Sequence, residues 1–481
     1  MTELDENAPQ IPLKRGIFCN RTLNMRSLKA IGYDMDYTLV HYHVDEWEGQ
    51  AYSHMQRRLA EQGWPVGELR FDGRLATRGL VLDVELGNLL KVNRFGYVKR
   101  ACHGTQLLEY RAMRKAYART VVDLALPRFQ FLNTFFSISE ACMYAQLVDL
   151  VDKGGAPIEH LSYQGLYGKV RDALDAAHIE GVLKAEIMSA PERYVQLDDE
   201  MALALLDQKE AGKRLMLITN SEWEYTRFMM SWAVDRFLPE GQTWRDLFEI
   251  VVVSARKPAF FAGSSPMLEI VDEEAGTMRP FVGPLQRGKV YFGGTASKIE
   301  EYVDAPGDQI LYVGDHIFTD VNVSKSLLRW RTALILRELE EELDEVEAAQ
   351  ETQRKIHEMM QRKERMEDRY SLLRLDLQRT VAGYGSVSGT SPEELRRQMH
   401  DLREQLVALD NEIAPLVMED GKRFNESWGY LMRSGNDKSH FTRQIERYAD
   451  IYTSRVSNFL RYTPFVYFRS PRGSMPHDPG V

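Results

Sequence analysis

The sequence predicts an α/β protein: a doubly wound parallel sheet with an inserted, mainly helical cap and a C-terminal helical hairpin. Three observations carry that prediction. Short apolar runs recur, and each stops at a polar residue. The first two of the polar ends, at Asp36 and Thr219, are too far apart for one crossover helix, and an abruptly charged stretch begins after Leu336.

In chain order, Leu28–Tyr33 precedes Asp34, Leu215–Ile218 precedes Thr219, Ile250–Val253 precedes Ser254, and Ile310–Val313 precedes Gly314. A fifth run, Ala333–Leu336, leads into the charged segment. Short β-rich runs bounded by turn signals, with helical stretches between them, read as strands covered on both faces. Ligands of such sheets gather beyond the carboxyl ends of the strands, which is where the polar clusters fall. The long gap after Asp36 marks an insertion with helical pattern from about Asn133. These limits give a discontinuous core over 1–85 and 186–336 and a cap over 86–185. A hairpin arm follows over 337–415, and 416–481 packs back on the core.

The arm reads as two helices. Leu339, Leu343 and Val346 begin an apolar stripe that continues through Ile356 and Met360. "AGYGSVSGTS" interrupts it, and Ser391-Pro392-Glu393-Glu394 then offers an N-cap, a proline at the first helical position and a capping-box glutamate.

Composition narrows the function. At 481 residues with 44% hydrophobic content the chain can bury a large interior. A net charge of −10 argues against a general nucleic-acid binder, which needs a basic face. Cys19, Cys102 and Cys142 show no CxxC pairing and suit a reducing compartment. "MTELDENAPQIPLKRG" lacks the apolar core of a signal peptide, and no window approaches the roughly 18 apolar residues of a membrane span. The expectation is a cytoplasmic protein with no membrane partner.

The chemistry sits at the strand ends. In "AIGYDMDYTLVHY" two carboxylates, Asp34 and Asp36, leave the first strand two residues apart. Such a pair repels itself, so a cation must stand between the two or one must hold a proton. "LITNS" brings Thr219, Asn220 and Ser221, "ARKP" brings Lys257, and "YVGDHIFTD" brings Asp315 and Asp320. Carboxylates at two strand ends, with lysine and hydroxyls between, suit a hard-oxygen Mg²⁺ site beside a phosphate site. Taken singly, each has a plainer reading: a turn cap for Asp34 and Asp36, a surface lysine for Lys257, a helix N-terminal carboxylate for Asp320.

In this order the set resembles the haloacid dehalogenase-like phosphohydrolases. "FCNRTLNMRSLKAIGYDMDYTLVHY", "TRGLVLDVELGNLLKV", "FLNTFF", "VRDALDAAHIEG", "GPLQRGKVYFGG" and "RQIERYADIY" further resemble, in sequence order, the IMP/GMP-preferring cytosolic purine 5′-nucleotidase family. The resemblance implies Asp34 as nucleophile, Asp36 as acid–base, and Mg²⁺ held by Asp34, the Asp36 carbonyl and Asp315, with Asp320 in support. It implies Thr219, Asn220, Ser221 and Lys257 around the phosphoryl group. From spacing alone Arg171 and Asp175 are an exposed helical ion pair and Phe136 an ordinary core aromatic. The resemblance instead makes Phe136, Arg171 and Asp175 base readers, with Asn133, His178 and Lys184 nearby. Purine nucleoside monophosphates are the implied substrates, with phosphoryl transfer to a nucleoside as a second outcome, in a homo-oligomer. Phe318, Gln444, Arg447 and Tyr448 match an effector site of the family. Asp123 and Ser326 stand there in place of an arginine and a lysine, which implies weak, altered or absent activation by polyphosphates.

Overall fold

The computed structural model describes residues 11–473, apart from 156, 158–160, 180 and 264 and the side chains of 177–179. Among these, the strand Ala30–Tyr33 is the organising element. All four of its residues are buried, as expected of a strand covered on both faces. It pairs in parallel with Arg214–Ile218 on one side and Ile310–Gly314 on the other. Gly32 admits this packing, because a Cβ there would stand 3.0 Å from the Tyr312 ring.

Outward on one side the sheet continues through Ile250–Val253 and Lys289–Gly293, then the antiparallel strands Met267–Asp272 and Thr277–Pro280. On the other it continues through Arg331–Ile335 and Ile451–Thr453 to the antiparallel Phe18–Cys19. The expected parallel sheet is therefore present, with antiparallel strands at both margins. Its core packs Met216, Ile250, Val252, Tyr291, Ile299, Tyr312 and Trp330.

The insertion opens with a five-stranded antiparallel sheet that the sequence did not announce. Val81–Asp83 is flanked by Asn88–Val92 and Phe129–Phe131, and Val98–His103 and Gln106–Leu107 complete it. It begins at Val81, ahead of the expected cap boundary at 86. Its strands are short and carry buried polar residues, Asp83, Asn88 and Lys91, so no alternating pattern stands out. Asp83 is compensated by a two-bond contact from Arg128, at 2.8 and 2.7 Å, and by the Tyr117 hydroxyl at 2.8 Å. The helices Ile138–Asp152 and Tyr163–Ile179 follow, in the stretch where helical pattern was expected, and both pack on Val44–Glu61.

The chain divides into two compact units, one built from the described residues up to 340 and from 431 onward, the other from 341–430. The smaller holds most of Leu339–Ala382 and all of Pro392–Asp420. Leu395, Leu402 and Leu409 bury one seam at heptad spacing, and Lys363 reaches Asp410 across it at 2.6 Å. Ser391 caps the second helix by accepting from the Glu394 amide, with Pro392 at the first position. The reciprocal half of the capping box is replaced: Glu394 accepts from Arg397 and Gln398 instead. No helix among the described residues is long and apolar enough to cross a membrane.

Candidate active site

Register places the chemistry. Tyr33 lies level with Leu217 and Val313, so Asp34, Thr219 and Asp315 leave three adjacent strands close together. The Asp34 amide still donates to the Val313 carbonyl at 2.9 Å, and the Met35 amide donates to Asp34 Oδ1 at 2.8 Å. Asp34 Oδ2 lies 2.7 Å from Lys257 Nζ, and the same ammonium lies 2.9 Å from Asp320 Oδ1. Lys257 also donates to the Tyr312 hydroxyl at 3.1 Å. Burial opposes its charge, but Asp320 and Asp34 outweigh burial and hold its pKa well above the usual lysine range.

Asn220 fixes the lysine loop. Its Oδ1 accepts from the Lys257 amide at 2.7 Å, and its Nδ2 donates to the Lys257 carbonyl at 3.2 Å. Thr219 is fully buried, and its Oγ1 accepts from the Ser221 amide at 3.1 Å. Ser221 in turn donates to Asp36 Oδ2 at 2.6 Å.

The two carboxylates of the opening motif are thus relieved separately. Lys257 serves Asp34, while Asp36 takes hydroxyl donors from Ser221 and, at 2.5 Å, from Tyr42. Lys184 Nζ sits 3.2 Å from Ser221 Oγ and 2.6 Å from Glu222. Burial pushes the Asp36 carboxyl up, and Lys184 is the first influence opposing it. Burial likewise carries Asp34 up to about 6 against the pull of Lys257.

Asp34, Asp315 and Asp320 each present a ligand atom within 4.8 Å of the others, all three buried. A turn of helix at Ile317–Asn322 brings Asp320 back to the cluster. His316 caps that turn with Nδ1, accepting from the Phe318 and Thr319 amides, and burial keeps the ring neutral by lowering its pKa to about 3. Burial also pushes Asp315 well above the carboxylate range, and Arg78, which donates to the Asp315 carbonyl at 3.0 Å, only partly offsets this. The three buried carboxyl groups outnumber the lysine they face, and an all-oxygen donor set of this kind fits Mg²⁺.

A cavity of about 580 Å³ opens from Asp36, Asn220, Ser221 and Lys184. Asn133, Phe136, Arg171 and Asp175 all line it, so the structure brings these predicted residues to one cavity. Phe136 packs 4.8 Å from the Tyr37 ring and 5.5 Å from Trp47. Arg171 Nη1 lies 3.6 Å from Glu140 Oε1. Glu140 and Tyr167 are lining residues the sequence reading missed; Glu140 sits within the same "FLNTFFSISE" stretch, four after Phe136. The side chain of His178 lies outside the described residues.

Phe318 also faces this cavity, 5.8 Å from Phe131 and 6.3 Å from Tyr448 by ring centroids. Arg447 stacks over Tyr448 at 5.2 Å, and buried Gln444 shares a 3.0 Å hydrogen bond with His440. Asp123 accepts from the Ala125 amide and Ser326 is exposed.

With this geometry in place, a model of the 5′ nucleotidase family matches residues 17–480. The chain belongs to the 5′-nucleotidase family. It is 26% identical to human 5′-nucleotidase domain-containing protein 2 over 96% of this chain and 85% of that protein. The rat protein of the same name is also 26% identical, over 96% and 80%. Among solved structures it is similar to a haloacid dehalogenase-like family hydrolase from Xanthomonas campestris, at 13% identity and TM-score 0.25 over 64% of this chain and 82% of that one. An archaeal beta-phosphoglucomutase from Pyrococcus gives 11% identity and TM-score 0.30 over 64% and 86%. The fold assignment rests on the strand order given above. As a member of the 5′-nucleotidase family, the chain is a hydrolase of nucleotidase type.

Proposed function

We propose that this nucleotidase hydrolyses purine nucleoside 5′-monophosphates with Mg²⁺, preferring IMP, GMP and their deoxy forms over AMP. One observation carries the reading: beside the buried Asp34–Lys257–Asp320–Asp315 cluster, Asp36 and His316 line a cavity that also holds Phe136 and the Arg171–Glu140 pair.

Asp34, Asp315 and Asp320, with the main-chain carbonyl of Asp36, would hold the metal, which when bound offsets the carboxylates' charge and that of the phosphoryl group. Asp34 Oδ attacks phosphorus as the bond to O5′ breaks, and Asp36 gives its proton to O5′. Asp36 then takes a proton from water as that water attacks phosphorus, the Asp34–phosphorus bond breaks, and inorganic phosphate leaves. A nucleoside hydroxyl taking the water's place gives phosphoryl transfer. Lys257, with Thr219, Asn220 and Ser221 of the adjoining loop, steadies the phosphoryl oxygens. At the other end Arg171 donates to a 6-oxo group, and a 6-amino group would leave that donor unpaired, which supports several kcal/mol of discrimination.

The test is phosphate release across nucleoside monophosphates and sugar phosphates, with Mg²⁺ or with EDTA. Mg²⁺-dependent release favouring IMP and GMP is expected. Release from sugar phosphates alone, or unchanged turnover by Asp34→Asn, would overturn the reading.

A further inference from the structure

Asp36 does not stand alone behind the scissile bond. Its Oδ1 accepts from the Tyr42 hydroxyl at 2.5 Å, and the Tyr42 oxygen lies 3.0 Å from the Tyr225 hydroxyl. Both tyrosines are 2% exposed. Tyr42 comes from the short strand His41–Tyr42, which pairs with Val195–Gln196, and Tyr225 from the helix Trp223–Val234. One element therefore delivers a hydroxyl to Asp36 Oδ1, and a second delivers the hydroxyl that backs it. Ser221, from a third, holds the other oxygen at 2.6 Å.

The Tyr42 ring is itself immobilised, with Trp47 at 4.4 Å and Tyr37 at 5.2 Å between centroids. The Lys184 ammonium stands 4.9 Å from the centre of the Tyr225 ring. A phenol needs one acceptor when buried, and here the chain Tyr225–Tyr42–Asp36 supplies acceptors in sequence. Packing alone would be met by phenylalanine at both positions. The two hydroxyls are explained by what they point at.

We infer that Tyr42, backed by Tyr225, is a positioning residue for proton delivery by Asp36 to the leaving 5′ oxygen. The inference rests on the role proposed above for Asp36. With Oδ1 bound to Tyr42, rotation of the carboxyl about its Cβ–Cγ bond is blocked, so Oδ2 stays on the cavity side. When Asp36 has handed its proton to O5′, the electron pair left on the carboxylate is met by hydroxyl donors already in place. Linked donors polarise one another, so the second tyrosine strengthens the first. No tyrosine proton leaves in the cycle; the proton lost by Asp36 to O5′ is regained from the hydrolytic water.

The consequence is selective. A nucleoside leaving group is a poor one and needs the proton, whereas p-nitrophenolate departs without it. Tyr42→Phe should lower kcat for IMP by about tenfold to a hundredfold, within the range general-acid help supplies, with KM changed by less than about twofold. Turnover of p-nitrophenyl phosphate should fall by less than about threefold. Tyr225→Phe should show the same pattern more weakly, about threefold to fivefold on IMP, and serves if Tyr42→Phe fails to fold by circular dichroism.

Equal losses on both substrates, or no loss on IMP, would overturn the inference. Asp36→Asn is run alongside. If Asp36→Asn spares IMP turnover, the role of Asp36 falls. If Asp36→Asn shows the leaving-group selectivity and neither tyrosine variant does, only the tyrosine inference falls.

Discussion

Arg171 Nη1 lies 3.6 Å from Glu140 Oε1, joining two cap helices across the cavity wall. Glu140 is 4% exposed and burial raises its pKa, so its charge depends on the arginine facing it. Arg171 is the more exposed partner, with its pKa raised chiefly by Glu140. On the base-reading role proposed for Arg171, the pair would fix the guanidinium in the cavity. Glu140→Ala should therefore raise KM for IMP and GMP about tenfold while kcat stays within about threefold, as expected for lost ground-state binding. Asp175→Ala should erode the preference for IMP over AMP in kcat/KM. Steady-state kinetics on the three nucleotides checks both.

Lys257 answers to two carboxylates, Asp34 at a strand end and Asp320 on a helical turn, and it is 6% exposed. Lys257→Met removes the cation and leaves Asp34 and Asp320 buried without it. Breaking one side of a buried ionic contact costs about 3 kcal/mol or more. The urea midpoint should fall accordingly in metal-free buffer, and kcat should drop at least about a hundredfold.

The carboxylate triad makes metal binding a stability question as well as a kinetic one. A ligand at a hundred times its Kd adds about 2.7 kcal/mol to the folded state. Mg²⁺ should raise the thermal midpoint of the wild type, and EDTA should reverse the rise. Asp315→Asn should abolish that response, which differential scanning calorimetry reads without any substrate.

Glu340 tests acid sensitivity. Burial pushes its carboxyl up, but hydrogen bonds from Arg455 at 2.6 and 2.5 Å, the charge of Arg337 and a bond from Ser454 outweigh burial and hold it down to about 2. A carboxyl lower in the folded than in the unfolded state stabilises above the unfolded value, and that contribution fades as pH falls through the folded value. Glu340→Gln should cost about 2 kcal/mol at pH 7, discounted for partial exposure, and the gap from wild type should narrow between pH 4.5 and pH 2. Urea unfolding at stepped pH measures it.

Glu48 runs the other way. It is fully buried, its Oε2 accepts from the Ser139 amide at 2.8 Å, and burial carries it up to about 7. The folded protein then holds a proton that the unfolded chain has lost, so the penalty grows from about pH 4.5 and is complete above pH 7. Glu48→Gln, which keeps an acceptor for Ser139, should stabilise the protein by about 1–2 kcal/mol at pH 8 and by little at pH 4.

The strand ends were legible because their causes are local. Ala30–Tyr33, Ile250–Val253 and Ile310–Gly314 are buried on both faces, so they read as unbroken apolar runs with Asp34, Lys257 and Asp315 just beyond. The arm was legible for a like reason, heptad spacing and a Ser-Pro start. What escaped was decided by partners distant in sequence. Lys184 is drawn to Ser221 and Glu222, Asn220 to the main chain of Lys257, and Arg171 to Glu140 on a neighbouring helix. No spacing rule along one segment encodes such pairings. The cap sheet escaped because Asp83, Asn88 and Lys91 interrupt its apolar residues, and their compensation by Arg128, Tyr117 and the Leu431 carbonyl appears only once the chain has closed.

The strand Ile451–Thr453 lies between Arg331–Ile335 and Phe18–Cys19, so segments far apart in the sequence are immediate neighbours. A nascent polypeptide consequently carries one bare flank of its sheet until residue 453 has left the ribosome. Open flanks of this sort recruit stray strands from other chains. During translation, that margin stands open to such mispairing.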